Sequence, residues 1–509
     1  MHKPMTSFRL HAAIASALAA LLLTGCRVGP KYQRPPAMAQ APPATYKESP
    51  TQFAETPGEW KVAQPQDAML KGKWWEIYND PELNALEDKL NIDNQTIKQY
   101  FANFMEARTL FAQAHAQLYP TLTAAPSFGR SLSSGSLTNA STANTGKESS
   151  ITTMGLDASW APDLWGKVRN LISEEQYNAQ LSAAELENER LTEQGTLALT
   201  LFEIRGQDAL QAVYTQTVAD DQKSLDYTRA QYETGVGSEI SVVEAENTLE
   251  NAEAALTGVG VARAEYEHAI AVLTGADPSS FSIPVKPLNA MPPAVPVGMP
   301  SQLLERRPDI AASERSMAAA NAEIGVATAA FYPALTLSAS GGFESSTIGS
   351  LFNWPSRFWS VGAGVAQPVF DAGLRRATVN EYIEVYNGDV ASYRQTVLAA
   401  FQQVEDYLAA ERILSQQLQQ QQTAADSAQK FVDLEMSRYQ FGIDPYIDVV
   451  TAQNTLLTDQ QTLATLHTQV MTASVQLIEA LGGGWDSTQL PTPEQVSQKL
   501  TPAETTIQR

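Results

Sequence analysis

The chain of 509 residues is written twice. The stretch from Tyr232 to Leu249 aligns without a gap on the stretch from Tyr439 to Leu456, and nine of the eighteen positions are identical. Gly235 matches Gly442, Val242 and Val243 match Val449 and Val450, and Asn247 matches Asn454. Upstream, Tyr119, Pro120 and Leu122 match Tyr332, Pro333 and Leu335 in the same order. A repeat of this length means one supersecondary unit built twice, with neither copy able to bury its apolar face alone. The halves join through 276–305, where seven prolines between Pro278 and Pro300 forbid a continuing helix.

Each half reads as helix, two strands, a very long helix, a tight turn and a long return helix. In the second half the first helix covers about Pro308 to Phe331. From Gly373 to Arg438 there is no proline and one interior glycine, Gly388. That length gives about 100 Å of helix, far beyond the usual 11–12 residues. Gly442 and Pro445 break it, and Tyr446 to Leu481 is helical again up to the Gly482-Gly483-Gly484 stop. The first half repeats this from Gly166 to Glu233, with a break at Gly235 and Gly237 and a return helix to Leu273. Apolar residues recur every seven positions, as in Val449, Leu456, Leu463, Val470 and Leu477. A second row runs Ile383, Val390, Val397, Val404, Glu411, Leu418, Ala425 and Val432. This is a coiled-coil seam. A plain helical bundle is the alternative.

Between the helices the pattern alternates with period two. Met154, Leu156, Ala158 and Trp160 share one face; so do Leu335, Leu337 and Ala339, then Trp359, Val361, Ala363 and Val365, and Leu122, Ala124 and Phe128. Small or polar residues fill the other face. Each segment is about 10 residues, the length of a tilted membrane-spanning strand. Aromatics gather at the ends (Tyr119, Trp160, Trp165, Tyr332, Trp354), and the polar segments 131–150 and 344–357 read as outer loops. A soluble sandwich is the alternative. Four strands cannot close a membrane barrel, and an open edge cannot sit in lipid, so spanning strands require oligomerisation. A trimer would pool twelve.

The N-terminus is an address. A basic start (Lys3, Arg9) precedes an apolar run from Ala12 to Leu23, too short for a transmembrane helix, and then Leu23-Thr24-Gly25-Cys26. That ending is a lipobox, so residues 1–25 are expected to be removed and Cys26, the single cysteine, to be acylated (for example palmitoylated). An ordinary signal with an incidental cysteine is the alternative. Arg27, rather than Asp, favours the outer membrane. The prolines from Pro35 to Pro57 suggest an extended, solvated tether.

A formal charge of -22 argues against nucleic acid. No disulfide is possible, and there is no metal spacing, phosphate-binding glycine loop or nucleophile elbow; an enzyme has no supporting residues. His268 and His467 read as packing or surface residues.

The chain resembles the outer-membrane factor lipoproteins of tripartite RND-type efflux systems, the TolC/NodT-type outer membrane efflux proteins. The resemblance rests on Cys26-Arg27-Val28-Gly29-Pro30, Trp74-Trp75 before Asp80-Pro81, Asp163-Leu164-Trp165-Gly166 with Arg169, Arg306-Arg307-Pro308-Asp309-Ile310, and Asn321 through Gly325. It implies an α+β membrane protein: a homotrimer whose 12-strand β-barrel, four strands per chain, continues into a coiled-coil periplasmic tunnel. It implies a passive channel for drugs or small solutes, working with a periplasmic adaptor (membrane fusion) protein and an inner-membrane RND-type pump, with no cofactor beyond the lipid. The organisation expected is a tether and belt at 26–79, repeat 1 at 80–275, a connector at 276–305, repeat 2 at 306–481 and a tail at 482–509. The Pro- and Trp-rich segments would form a belt around the tunnel. A channel for type I protein secretion and a periplasmic coiled-coil scaffold are the competing readings.

The resemblance also implies that the tip narrows the tunnel through Asp444 or Asp448, in a setting of Tyr439, Arg438 and Gly442. A helix-capping role for either acid is the alternative. The first-repeat tip, Gly235, Gly237, Glu239 and Ser241, departs from this pattern: Gly237 and Ser241 stand where the second has its two acids. Glu239 and Glu244 are candidate substitutes.

Overall fold

The computed structural model describes residues 26–38, 46–48, 72–132, 134, 148–295 and 303–497. The expected signal at 1–25 lies outside them, as do most of the first outer loop, residues 39–45 and 49–71 of the tether and belt, residues 296–302 of the connector, and the end of the tail. The elements are α1 (Pro81–Asp93), α2 (Gln95–Ala116), β1 (Thr121–Ala124), β2 (Ser127–Leu132), β3 (Glu148–Trp160), α3 (Lys167–Glu233), α4 (Glu239–Leu273), α5 (Leu303–Arg306), α6 (Pro308–Ala329), β4 (Ala334–Ser345), β5 (Arg357–Ala366), α7 (Leu374–Gln440), α8 (Tyr446–Ala480) and α9 (Pro493–Ser497).

Equivalent helices have equal lengths. Both α3 and α7 have 67 residues, α4 and α8 have 35, and α2 and α6 have 22. Each long helix starts at a left-handed glycine, Gly166 or Gly373, and runs about 100 Å to a glycine turn. The shorter helices stack end to end beside it. The Asn94 side chain, which caps α2 by accepting from Ile97 N, donates to the Leu273 carbonyl at the end of α4 (3.0 Å). In repeat 2 the Arg307 guanidinium at the start of α6 donates to the Ala480 carbonyl at the end of α8 (2.9 Å). One helix's unsatisfied C-terminal carbonyls thus meet donors from the start of the next, so α4 continues into α2 and α8 into α6. Close approach here requires glycine. Gly275 has φ +66°, and a Cβ there would lie 2.7 Å from the Asp93 carbonyl; Gly482, at φ +93°, faces the Arg306 carbonyl.

The helices form a single layer in the order α4/α2, α3, α8/α6, α7. The seam expected from the sequence is buried along much of its length: Val397, Val404, Glu411, Leu418 and Ala425 face inward on α7, and Val449, Val470 and Leu477 on α8. Belt segments cover its middle. Trp74, Trp75, Ile283, Leu288 and Val295 join Leu197, Leu201 and Met471 in the largest core. Beneath them Arg205 bridges Asp80 and Glu82 (Nη2–Oε2 2.8 Å). Burial pushes the Asp80 carboxyl up, but Arg205 outweighs it and holds it at about 2.

The tether departs from the sequence expectation of a solvated segment. Its described parts are extended but packed. Val28 N donates to the Trp165 carbonyl (3.0 Å), Tyr32 OH to Glu314 (2.6 Å) and Arg34 to the Tyr393 hydroxyl (3.0 Å). Tyr46 is buried, and Glu48 pairs with Arg412 (3.0 Å). Proline favours an extended path, and Asn170 of α3, Asn321 of α6 and Arg394 of α7 donate to the carbonyls of Val28, Pro30 and Pro36 along it.

The sheet is an antiparallel meander of four lanes. Pro126 splits the first lane into β1 and β2, both paired to β3. Register places Leu122, Ala158, Ala339 and Val361 in one row and Ala124, Leu156, Gly341 and Trp359 in the next, all on one face. Thr123, Asp157, Ser340 and Ser360 form a row on the opposite face. Trp359, Val361 and Val365 are 76%, 75% and 70% exposed, and no helix of the described residues covers them. A soluble sandwich would bury that face, so the sandwich reading fails. No helix of the described residues is long and apolar enough to cross a membrane.

Candidate functional site

The two helical hairpins end side by side. At the first, α3 closes on Gly235 (φ +76°), with Val236 N and Gly237 N both donating to the Gln231 carbonyl (2.9 Å each). Ser238 then caps α4 by accepting from Ser241 N (3.2 Å). Ser241 is thus bound to a cap, and Glu239 lies exposed in the first turn. At the second, Gly442 (φ +69°) donates to the Tyr439 carbonyl and Ile443 N to the Arg438 carbonyl (2.9 Å each), a Schellman closure. Pro445 opens α8.

Neither second-tip acid caps that helix, because α8 has no side-chain cap bond. Asp444 turns back onto Arg438, with Nη2–Oδ1 at 3.0 Å and a second contact through Nε. That guanidinium holds the Asp444 carboxyl below the usual carboxylate range. Asp448 is exposed on the first turn, and its charge reinforces that of Arg438. Of the two carboxylates, one is therefore locally neutralised and one projects outward.

Tyr439, which the sequence reading set beside the acids, turns instead toward the first hairpin. It is 8% exposed and packs between Tyr227 (5.9 Å between centroids) and Tyr446 (5.2 Å). Its hydroxyl donates to Gln231 Oε1 of α3 (2.7 Å). With Leu225, Ala245, Leu249 and Val449 this forms a separate small core that ties the second hairpin to the first. Tyr439 prefers this position because ring burial and a satisfied hydroxyl are both available there.

Above the tips, α3, α7 and α8 border a cleft of about 570 Å³ lined by Asp220, Asp221, Tyr227, Asp433, Met436 and Gln453, among others. Asp221 is 3% exposed, and its Oδ2 has no hydrogen-bond partner among the described residues. Burial, then the neighbouring Asp220, push its carboxyl up to about 6. Asp220 itself is engaged by Lys223 and Gln216 (2.8 Å each). Gln231, Tyr227, Tyr446 and Asp221 were not among the site residues expected from the sequence. Only Asp221 carries a signal: the helices align at a constant offset, and its equivalent in the second repeat is the apolar, buried Ala428.

At the sheet end of the helices, Cys26 is exposed and Arg169 donates to its carbonyl (3.4 Å). Trp165 stacks on Tyr332 (4.9 Å) close by. His467 lies in α8, where burial lowers its pKa. No group of three or more His, Cys, Asp or Glu residues among those described is placed to hold a metal.

Comparison with known proteins agrees with this architecture. The family model described as outer membrane efflux protein matches residues 87–276 and 299–483. A solvent efflux pump outer membrane protein of Pseudomonas putida, SrpC, is 31% identical over 479 residues, covering 92% of this chain and 98% of its own. The probable efflux pump outer membrane protein TtgC of the same species is 30% identical, covering 93% and 95%. The structure of the outer-membrane channel OprN superposes with a TM-score of 0.81 at 25% identity, covering 90% of this chain and all of that one. The chain therefore belongs to the outer membrane efflux protein family.

Proposed function

We propose that this protein is the passive outer-membrane channel of a tripartite efflux pump, carrying drugs or other small solutes through a periplasmic tunnel. The observation that carries the reading is the sheet. One face is apolar and uncovered, the other small and polar, and the same strands continue directly into a one-layer wall of helices. Both the sheet and the wall have open edges, which suits closure by further copies of the chain. Three copies supply twelve strands, above the minimum of about eight. Exposed Cys26 lies beside the Trp165–Tyr332 pair, a position suited to acylation and insertion into the inner leaflet. The paired tips, with apolar Val236, Ile240, Phe441 and Ile443 exposed, suit docking by a periplasmic adaptor that in turn engages an inner-membrane pump.

Reconstitution into planar bilayers tests the channel. Discrete conductance, together with raised susceptibility to toxic solutes on gene deletion, is the expected result. A protein that inserts without conducting, in a strain whose susceptibility is unchanged on deletion, sinks it.

A further inference from the structure

Two arginines interrupt the apolar face of the sheet near its end away from the helices. Register sets the last apolar row at Met154, Phe343 and Arg357. The next two rows on the same face are Phe128 with Thr152 and Ser345, then Arg130 with Ser150. Below Arg357, the rows down to Leu335 and Val365 contain no charged residue. Arg130 is paired with Glu148. Arg357 has no carboxylate within 4.0 Å among the described residues. Its guanidinium lies 3.7 Å from the centroid of the Trp354 ring, and Trp354 is 73% exposed.

An arginine on a lipid-facing strand costs about 2–4 kcal/mol at the bilayer midplane and close to nothing at the interface. Arg357 therefore marks a boundary, at the end of the strands away from the helices. A planar guanidinium pairs bidentately with phosphate, and an exposed indole beside it offers a surface to sugar and acyl chain. β5 is an edge lane, so closing the barrel would bring it beside the β1/β2 lane of the next copy, which carries Phe128 and Arg130.

We propose that Arg357 and Trp354 form a lipid-phosphate site on the outward face of the barrel, taking the phosphate of an outer-leaflet phosphoglycolipid. This rests on the outer-membrane reading. Native mass spectrometry of the detergent-purified oligomer with lipid A, its dephosphorylated form or phosphatidylglycerol tests it, with bilayer conductance recorded on the same preparations. Lipid A should be retained, the dephosphorylated form should not, and Arg357→Gln should lower retention at least tenfold, with Arg357→Lys between the two. Unchanged retention in Arg357→Gln and Trp354→Ala overturns the site. Equal retention of phosphatidylglycerol, with equal loss in the variant, overturns the assignment to a glycolipid. Conductance without lipid A retention removes this site alone, whereas absence of conductance in the wild type removes the channel reading beneath it.

Discussion

Asp444 and Asp448 are four residues apart and in opposite electrostatic situations. The first is held by Arg438, while the second projects from the helix start. If the tips converge on a threefold axis, the repulsion and cation affinity of a carboxylate ring fall mainly on Asp448. Asp448→Ala should weaken cation selectivity and block by multivalent cations in planar-bilayer recordings. Asp444→Ala should do less, and Arg438→Ala, which releases Asp444, should strengthen the block. If all three behave like wild type, the constriction lies elsewhere. Asp221 makes a different prediction. Burial and then Asp220 disfavour its charge and push its carboxyl up to about 6, well above the ordinary aspartate range. The folded tip therefore binds the proton more tightly than the unfolded chain does. Its packing is strongest below about pH 4, weakens as pH rises to about 6, and then levels off. Asp221→Asn should flatten that window and increase amide protection of the tip at pH 7, by hydrogen exchange corrected for intrinsic rates. The sequence motifs were legible here in a particular way. Gly29 requires φ +112° and would bring a Cβ 2.5 Å from Gly325 Cα; Asn321 donates to the Pro30 carbonyl, and Arg169 binds Asp163. They are the contacts that seat the N-terminal strap, so they identify the family while lying far from the tip.

At the scale of elements, the hairpin tips are joined by side-chain bonds from Tyr439 to Gln231 and from Gln453 to Ser224, beside an aromatic cluster. Tyr439→Phe keeps the ring packing and removes the hydrogen bond to Gln231, a loss of about 1 kcal/mol. The second hairpin should then open roughly fivefold more often. Faster amide exchange near Tyr446 and higher single-channel conductance are the expected readouts, and unchanged values for both would show that the Tyr439 hydroxyl does not hold the tips. Helix existence and length were readable because proline and glycine punctuate the chain so sparsely. The glycine breaks fell where the turns are. The bond between Tyr439 and Gln231 was not readable. Gln231 aligns with Arg438 in the other repeat, and the two equivalent positions serve different partners. Such divergence follows from the tertiary neighbour each residue meets, which local periodicity does not encode. The end-to-end stacking of α4 on α2 was equally hidden, since their junction is separated by more than 170 residues. Pro126 could have been read as a break in the first strand, because proline lacks the donor a ladder needs.

For the whole molecule, the open edges of the sheet and of the helix wall make one prediction. Four lanes leave unpaired backbone groups at β1/β2 and β5, which lipid cannot satisfy. The detergent-solubilised protein should have a mass near three chains by light scattering after subtraction of detergent. A conducting species of single-chain mass contradicts the trimer. Four spans were legible from alternation, whereas the belt was an expectation of the family resemblance. The strap was misjudged because proline content reports backbone shape and says nothing of the groove that receives it. Finally, the matched helix lengths, 67 with 67 and 35 with 35, make the tube a measuring rod. Its reach is counted in residues, at 1.5 Å each. Removing one residue from α3 alone would rotate everything beyond it by about 100° and leave its tip out of level with its neighbour. Removing a whole heptad from all four tip-ward helices would preserve every seam and shorten the rod by about 10 Å. Any change in the distance this protein bridges must therefore come in quanta of two helical turns, made in both repeats at once.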